Sequence, residues 1–372
     1  MIQLKEVNSK KDLKAFIMLP FTIHKNHKEW LPPLISDEWK VFDESKNHSF
    51  EHCDTILLLA EKNNEVVGRV MGIINHTYNK GNNENNVRFF GIECYDDKEV
   101  FDTLIKAIED WGKSKNMDTI IGPLGFSDKE PQGFLIEGFN DPMTVMVTNP
   151  SFEYMISHTE RNGYKKKLDA FQYRAQIPEK TPEIYDKIAE RVKRRGFKML
   201  EFKKSKHVRP YVKPVFDLIN STYKDIYGFA PLDDRESKEF SERFLPLLKP
   251  QYIKVVLDKT DKVVAFVVAM PDISNGFKKA NGKLFPFGFI HILRAFKQTN
   301  QLNLLLGCID ESLQNSGLIA LMAQSMYNSA KENGLTILDS HLILEENTKM
   351  RAVMERMEHR IYKKYRIFEK KL

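Results

Sequence analysis

Cysteine is scarce in this chain: Cys53, Cys94 and Cys308 are the only three in 372 residues, too few for a disulfide framework. Each lies in or near an apolar, strand-like stretch and reads as a buried thiol. There is no CxxC pair and no His/Cys spacing of metal-site type, so no metal is expected. His24 and His27, three apart in an irregular stretch, read first as satisfied or exposed surface histidines, with a substrate-loop role as the alternative; a metal would need further ligands that no pattern supplies. Long apolar runs are missing too. Residues 56–60 and 263–270 fall far short of a membrane span, and the N-terminal MIQLKEVNSKKDLKAF has charges where a signal peptide needs its apolar core. These absences point to a reduced, cytoplasmic protein. A large charge of one sign is also lacking: the net +6 favours anionic partners only modestly. The one basic run has eight Lys and Arg against one Glu over residues 193–209. Its aromatics, Phe197 and Phe202, read as inward strand residues. It is therefore a solvated face, or a contact for a ligand phosphate, and nucleic acid is not expected as a partner.

What the chain does have is apolar periodicity over a length that suits two domains. Residues 2–7, 55–60, 65–74, 87–93 and 119–121 read as strands. Asp96 and Asp97 precede a helix carrying Val100, Leu104, Ile108 and Trp111 on one face. Residues 79–86, NKGNNENN, read as a surface loop too polar to pack. Residues 124–148 read as a long loop with Phe126, Phe134 and Phe139 exposed, and Asn149–Pro150 is expected to open a helix. The boundary falls at IPEKTP, dividing the chain into 1–177 and 178–372. The second part has a hairpin around Asp261, an amphipathic stretch at 275–300 that reads as a lid or partner surface, and a strand–turn–helix–strand–helix–strand run from 302 to 372.

The two parts repeat. EVVGRVMG at 65 matches KVVAFVVA at 262, an offset of 197. KNMDTII at 115 matches ENGLTIL at 332, an offset of 217. Asn149, Glu160 and GYKK match Asn347, Glu358 and IYKK at 198, so the first part carries about 19 extra residues, which 124–148 supplies.

This order of elements resembles the GNAT acyltransferase fold, present twice. The resemblance implies an α/β (α+β) architecture: two consecutive domains, each a mixed, mostly antiparallel sheet with a splayed central strand pair flanked by helices. The chain is also similar throughout to an uncharacterised bacterial family of tandem acyltransferase-like proteins. The segments FFGIECYDDKEVFDTLIKAIEDW, GPLGF with QGFLIEGFNDP, NPSFEYM, and ILEENTKMRAVMERM with YKKYRIFEK carry that likeness. In the GNAT family, acyl-CoA lies in the gap between the splayed strands. Its pyrophosphate sits on a turn with Gln or Arg, two residues, Gly, one residue, then Gly or Ala. Gln314-Asn-Ser-Gly317-Leu-Ile319 matches four positions and departs at Ile319. The first part has Tyr95-Asp-Asp-Lys-Glu there, whose acids repel pyrophosphate. The resemblance thus implies acetyl-CoA or a longer acyl-CoA as co-substrate on the second part, and a first part that is degenerate, structural or a wall of the acceptor site.

Acyl transfer from a thioester to an amine needs an oxyanion donor, a proton acceptor and a grip on the cofactor. Backbone groups around Leu306, Gly307 and Cys308 suit the oxyanion. Gln314, Ser316, Gly317 and Leu318 suit the pyrophosphate, with Gly317 permitting close approach. Asn347 either contacts the cofactor or only caps its helix. Candidate catalytic groups are Asp310, Glu311, Glu345 and Tyr362, although the acids read equally as turn or capping residues and Tyr362 as a packing residue. The family's usual tyrosine is replaced by Met354. His341 reads as a satisfied strand histidine, and Cys308 has no histidine partner for nucleophilic chemistry. The expected function is N-acyl transfer from acyl-CoA to a small-molecule or peptide-like amine. An inactive CoA- or metabolite-binding protein and a protein-interaction module are the alternatives, and a homodimer is compatible with either.

Overall fold

The computed structural model describes all 372 residues. The first part runs β1 (Gln3–Glu6), α1 (Lys10–Ile23), α2 (Ile35–Phe42), β2 (Cys53–Lys62), β3 (Glu65–Asn75), α3 (His76–Asn82), β4 (Asn86–Cys94), α4 (Lys98–Ser114), β5 (Thr119–Gly122), β6 (Phe134–Glu137), α5 (Glu153–Arg161) and β7 (Lys165–Gln176). The second runs α6 (Glu183–Arg194), β8 (Lys198–Glu201), α7 (Val212–Thr222), α8 (Asp234–Phe244), β9 (Ile253–Leu257), β10 (Val263–Pro271), α9 (Ser274–Ala280), α10 (Gly288–Gln298), β11 (Gln301–Ile309), α11 (Leu318–Glu332), β12 (Ile337–Ser340), β13 (Ile343–Leu344), α12 (Thr348–Met354) and β14 (His359–Lys371). The same order of strands and helices occurs twice. Helices α9 and α10 occupy the place of the single short α3, which accounts for the rise in repeat offset between the first and second matches.

All fourteen strands join one mixed, largely antiparallel sheet, with the main order β1-β2-β3-β4-β5-β14-β7-β12-β11-β10-β9-β8. The last strands cross over. Strand β14 lies between β5 and β7, while β7 lies between β14 and β12. Each part therefore has its fifth strand completed by the other part's last strand. The β7–β14 pairing, from His359 opposite Ala175 to Glu369 opposite Lys165, is the seam.

Helices cover the sheet because their apolar stripes fit it. Asp97 accepts the N–H groups of Glu99 and Val100, which starts α4. Val100, Phe101, Leu104, Ile105 and Ile108 are then fully buried on β3 and β4, each adding roughly 1.5–3 kcal/mol of apolar burial. Gly68 and Gly72 make the approach possible: a Cβ at either would come within 2.9 Å of α4 side chains. In the second part, α11 buries Leu318, Leu321 and Met322 against α6, β9 and β10.

Several local expectations change. The polar run at 79–86 is a surface segment as expected, with residues 80–83 and 85 exposed, but its ends are anchored: Asn79 and Asn86 are buried, joined by Asn79 Nδ2 donating to Asn86 O at 2.9 Å. Phe126 and Phe134 are core residues, not exposed ones, because the 124–148 segment folds back as β6 against β14. Asn149 does not open a helix. Its side chain accepts from Leu31 N–H and donates to Leu31 O, both at 2.8 Å, and so pins the segment after α1.

At the seam sits a buried polar network. Asp339 on β12 has no exposed surface. It accepts from Arg174 Nη2 at 2.9 Å, Gln172 Nε2 at 2.6 Å and Tyr362 Oη at 2.8 Å. Gln172 also bonds Thr144 Oγ1 at 2.6 Å, which ties the 124–148 segment to the seam. Burial pushes the Asp339 carboxyl up, and the Arg174 guanidinium offsets part of that rise. Replacing Arg174 with Met leaves this carboxylate buried without its cation. We expect a loss of about 3–5 kcal/mol in urea unfolding. A loss under 1 kcal/mol, as for an exposed pair, would show that the network is not what holds the seam.

Candidate functional site

In the second part β11 and β12 are parallel and pair only from Gln301–Ile337 to Leu304–Ser340. The last tie is His341 N–H to Leu304 O at 3.0 Å. Beyond it β11 stays with β10, whereas the chain after Ser340 moves to β7 as β13, so a fork opens. Val268 pairs with Leu306 and Ala269 with Leu304, which makes Leu305 an extra, bulged residue at the mouth of the fork. Leu306, Gly307 and Cys308 follow along the open edge. Tyr223, just after α7, accepts from Gly307 N–H at 3.4 Å and donates to Gly307 O at 2.9 Å. Burial pushes the Cys308 thiol up to about 12, so it stays protonated.

The strand leads into a turn suited to an anion. Gly317 caps α11 with φ +92°, a conformation that favours glycine. A Cβ there would also lie 2.6 Å from Ile188 Cγ2 on α6. The first N–H groups of α11 have no partner within the helix. Cations surround the turn. Lys349 bonds the Gln314 side-chain oxygen, and Arg195 donates to Ser316 O at 3.3 Å. Lys224 lies 3.6 Å from Glu311, and Lys262 lies 3.7 Å from Asp310. Leu318 is fully buried at the helix start.

The other expected residues lie apart from the open edge or are already engaged. Asp310 caps the turn at Glu311–Leu313, accepting from Ser312 N–H at 3.1 Å and Ser312 Oγ at 2.7 Å; the serine hydroxyl holds its carboxyl low. Glu345 accepts from Asp169 N–H at 3.0 Å and Lys166 Nζ at 2.7 Å. Tyr362 donates into the Asp339 network, and burial followed by the Asp339 charge pushes its phenol well up. Asn347 caps α12 by accepting from Met350 N–H at 3.1 Å. Met354 is buried in the core beside Tyr173 and Tyr327.

His341 belongs at the fork instead. Its Nε2 lies 2.8 Å from Met146 O in the 124–148 segment. A carbonyl only accepts, so Nε2 carries the hydrogen and Nδ1 holds a lone pair; this assigns the tautomer. Burial pushes its pKa down, and the Met146 bond offsets that only in part, so the ring is neutral at pH 7. No local pattern could reveal this, since the two residues are 195 apart in sequence.

The first part has a matching fork with different contents. β4 and β5 pair over Asn86–Arg88 and Thr119–Ile121. Its bulge falls at Gly91, φ +56°, between the Arg69–Glu93 and Met71–Phe90 pairs. Tyr154 Oη donates to Cys94 O at 2.7 Å on the open edge. The N-terminus of α4 already carries the Asp97 carboxylate, which also pairs with Lys62 at 2.6 Å. Beside this bulge lies a cluster in which the histidines are satisfied by partners, with His24 buried instead of at the surface. His24 is 2% exposed; its Nε2 meets Glu93 at 3.0 Å and its Nδ1 meets His27 at 2.9 Å. Phe152 stacks on both rings, at 4.9 and 4.5 Å. Burial pushes the Glu93 carboxyl up, but the charges of His24 and Arg69 outweigh it and leave it low.

Doubled forks, bulges and crossing last strands define a tandem GNAT-like fold. Solved structures carry the same architecture. A tandem GNAT protein from the clavulanic acid biosynthesis pathway, without AcCoA, superposes with a TM-score of 0.56 at 8% identity, over all of this chain and 98% of that one. A GCN5-related N-acetyltransferase from Sphaerobacter thermophilus gives 0.52 at 10% identity, over all of this chain and 95% of the other. In sequence the chain is similar to the bacterial ceramide synthase of Caulobacter vibrioides, 25% identical over 98% of this chain and 96% of that protein. It is also similar to Protein YghO of Escherichia coli K12, 27% identical over 98% and 94%. No family model matches.

The Tyr223 hydroxyl holds both backbone groups that an extended ligand in the fork would use. Tyr223→Phe should therefore raise affinity for CoA, by about five-fold if one net hydrogen bond is released. Calorimetric titration of CoA into both proteins checks this; equal affinities would show that nothing pairs with Gly307.

Proposed function

We propose that the protein is an acyl-CoA-dependent N-acyltransferase, with acyl-CoA on the 178–372 part and the 1–177 part as a cofactor-free partner that walls the site. The observation that carries this reading is the second fork: a bulge at Leu305, an open edge over Leu306, Gly307 and Cys308, and a glycine-capped helix ringed by cations. In this reading Gln314, Ser316, Gly317 and Leu318, with Arg195 and Lys349, hold the pyrophosphate. The edge at Gly307 pairs with the pantetheine amides once Tyr223 moves aside. Asn347 orders α12 beside them.

The amine nitrogen attacks the thioester carbonyl carbon; the C–N bond forms and the C–S bond breaks. A backbone N–H at the Leu305 bulge faces the developing oxyanion. His341 Nδ1 takes the proton lost by the nitrogen and then gives it to the sulfur of the departing CoA thiolate, which leaves as the thiol. The whole-length likeness to a ceramide synthase supports a long-chain amino alcohol as acceptor and a long acyl chain as donor, since ceramide is the amide of those two. One observation favours a second reading, a protein that binds acyl-CoA without turnover. Asp310, Glu345 and Tyr362 are all engaged in the fold, and Glu311 is exposed beside Lys224.

Titration with CoA, acetyl-CoA and palmitoyl-CoA, then thiol release in the presence of sphinganine, tests both. Turnover is expected with a long-chain pair. Its acid limb should lie below the ordinary histidine value of 6.5, because the neutral form of a ring with lowered pKa is the active one. His341→Gln should cut turnover about 10²–10⁴-fold while leaving CoA affinity unchanged. Binding without turnover selects the second reading, and no binding to any of the three overturns both.

A further inference from the structure

The hairpin α9–α10 is the largest exposed apolar feature of the molecule. Nine large hydrophobic side chains are exposed, and four of them fall within residues 285–293: Phe285 at 77%, Phe287 at 67%, Phe289 at 41% and Leu293 at 54%. Phe289 and Leu293 are one helical turn apart and share a face of α10. Such clustering marks an interaction surface, whereas single exposed apolar residues do not.

The chemistry around the patch points to what covers it. No Asp or Glu occurs between Ile273 and Asn300, while Lys278, Lys279, Lys283, Arg294 and Lys297 do. Between the two helices lies a groove of about 290 Å³, lined by Lys279, His291, Arg294, Asn275 and Gln298. Gly276 lets the helices meet: a Cβ there would lie 2.6 Å from Ile292 Cα. Aromatic side chains beside basic groups that pair with no acid, and a groove lined by two of them, match one environment, the interface of a bilayer holding anionic phospholipid.

The patch also connects inward. Ile273, Phe277 and Ile292 of the hairpin form one apolar cluster with Leu31, Leu34, Met143, Val145 and Met270, and Leu305 packs against it. Leu305 is the bulged residue at the fork. This cluster gives an apolar path from the root of the hairpin to the place where acyl transfer is proposed.

We propose that the α9–α10 hairpin is a membrane-docking element: its phenylalanines insert at the bilayer interface and its basic groove holds the phosphate of an anionic lipid headgroup. The role of the path, delivering a long-chain substrate from bilayer to fork, rests on the proposed acyl transfer; the docking does not, and it is read without turnover.

Flotation of the full chain with phosphatidylcholine–phosphatidylglycerol vesicles, and with phosphatidylcholine alone, tests it. Two double variants, Phe285→Ser/Phe287→Ser and Lys279→Gln/Arg294→Gln, alter exposed or groove side chains, and thermal melts with circular dichroism verify their folding. The native protein should float with the mixed vesicles and much less with phosphatidylcholine alone. The basic variant should partition about five-fold more weakly for each cation removed. The phenylalanine variant should fall to background. Three results would overturn the proposal: no flotation of the native protein, flotation unchanged in a folded phenylalanine variant, or sedimentation as a dimer that the same variant dissolves, which would make a second copy the occupant.

Discussion

The structure depends on the exchange of last strands. A parallel pair that splays leaves backbone groups without partners, and buried groups of that kind are costly. Each part's fifth strand is short, and its outer edge would be bare if that part stood alone. β14 covers β5 and β7 covers β12, so each fork is braced by the other part. The ionised side chains follow the seam. Asp169 on β7 pairs with Arg366 on β14, and Asp339 on β12 pairs with Arg174 on β7. An arm from the first part, residues 124–148, reaches the same place through Thr144 and Met146.

The strand geometry is shared, including a bulge at Gly91 and another at Leu305. What differs is the helix start beyond each bulge. Asp97 supplies a carboxylate to its own helix, which satisfies the N–H groups and places negative charge there. Gly317 supplies nothing and leaves its helix open to an external anion among Arg195, Lys349, Lys224 and Lys262. In the proposed reading, one copy keeps the fork as structure and the other keeps it as a receptor surface.

Much of this was legible in the chain. Repeat spacing showed the doubling, alternation and 3.6-residue periods placed the strands and helices, and the GNAT-like pattern at Gln314–Ile319 falls on the turn that leads into α11. The exchange of last strands was not legible, because β7 and β14 carry similar alternation and pairing choice leaves no mark on either. Nor was the fate of the polar groups. Tyr362 and Glu345 satisfy partners far away in sequence, Asp339 and Glu345's neighbour Asp169 among them. The His24–Glu93 contact spans 69 positions. Long-range pairing also hid His341, whose tautomer is set by a carbonyl in the other part. Composition did mark 275–300 as amphipathic, yet only the structure shows that its apolar face stays uncovered and its root reaches Leu305.

The central claim is that the second fork, and not the first, receives acyl-CoA. Amide hydrogen exchange with and without CoA tests it most directly, because both forks are read in one sample. The account predicts slowed exchange over 305–309 and 316–320 on adding CoA, with 90–99 unchanged. Protection at 90–99, or none at either fork, would contradict it.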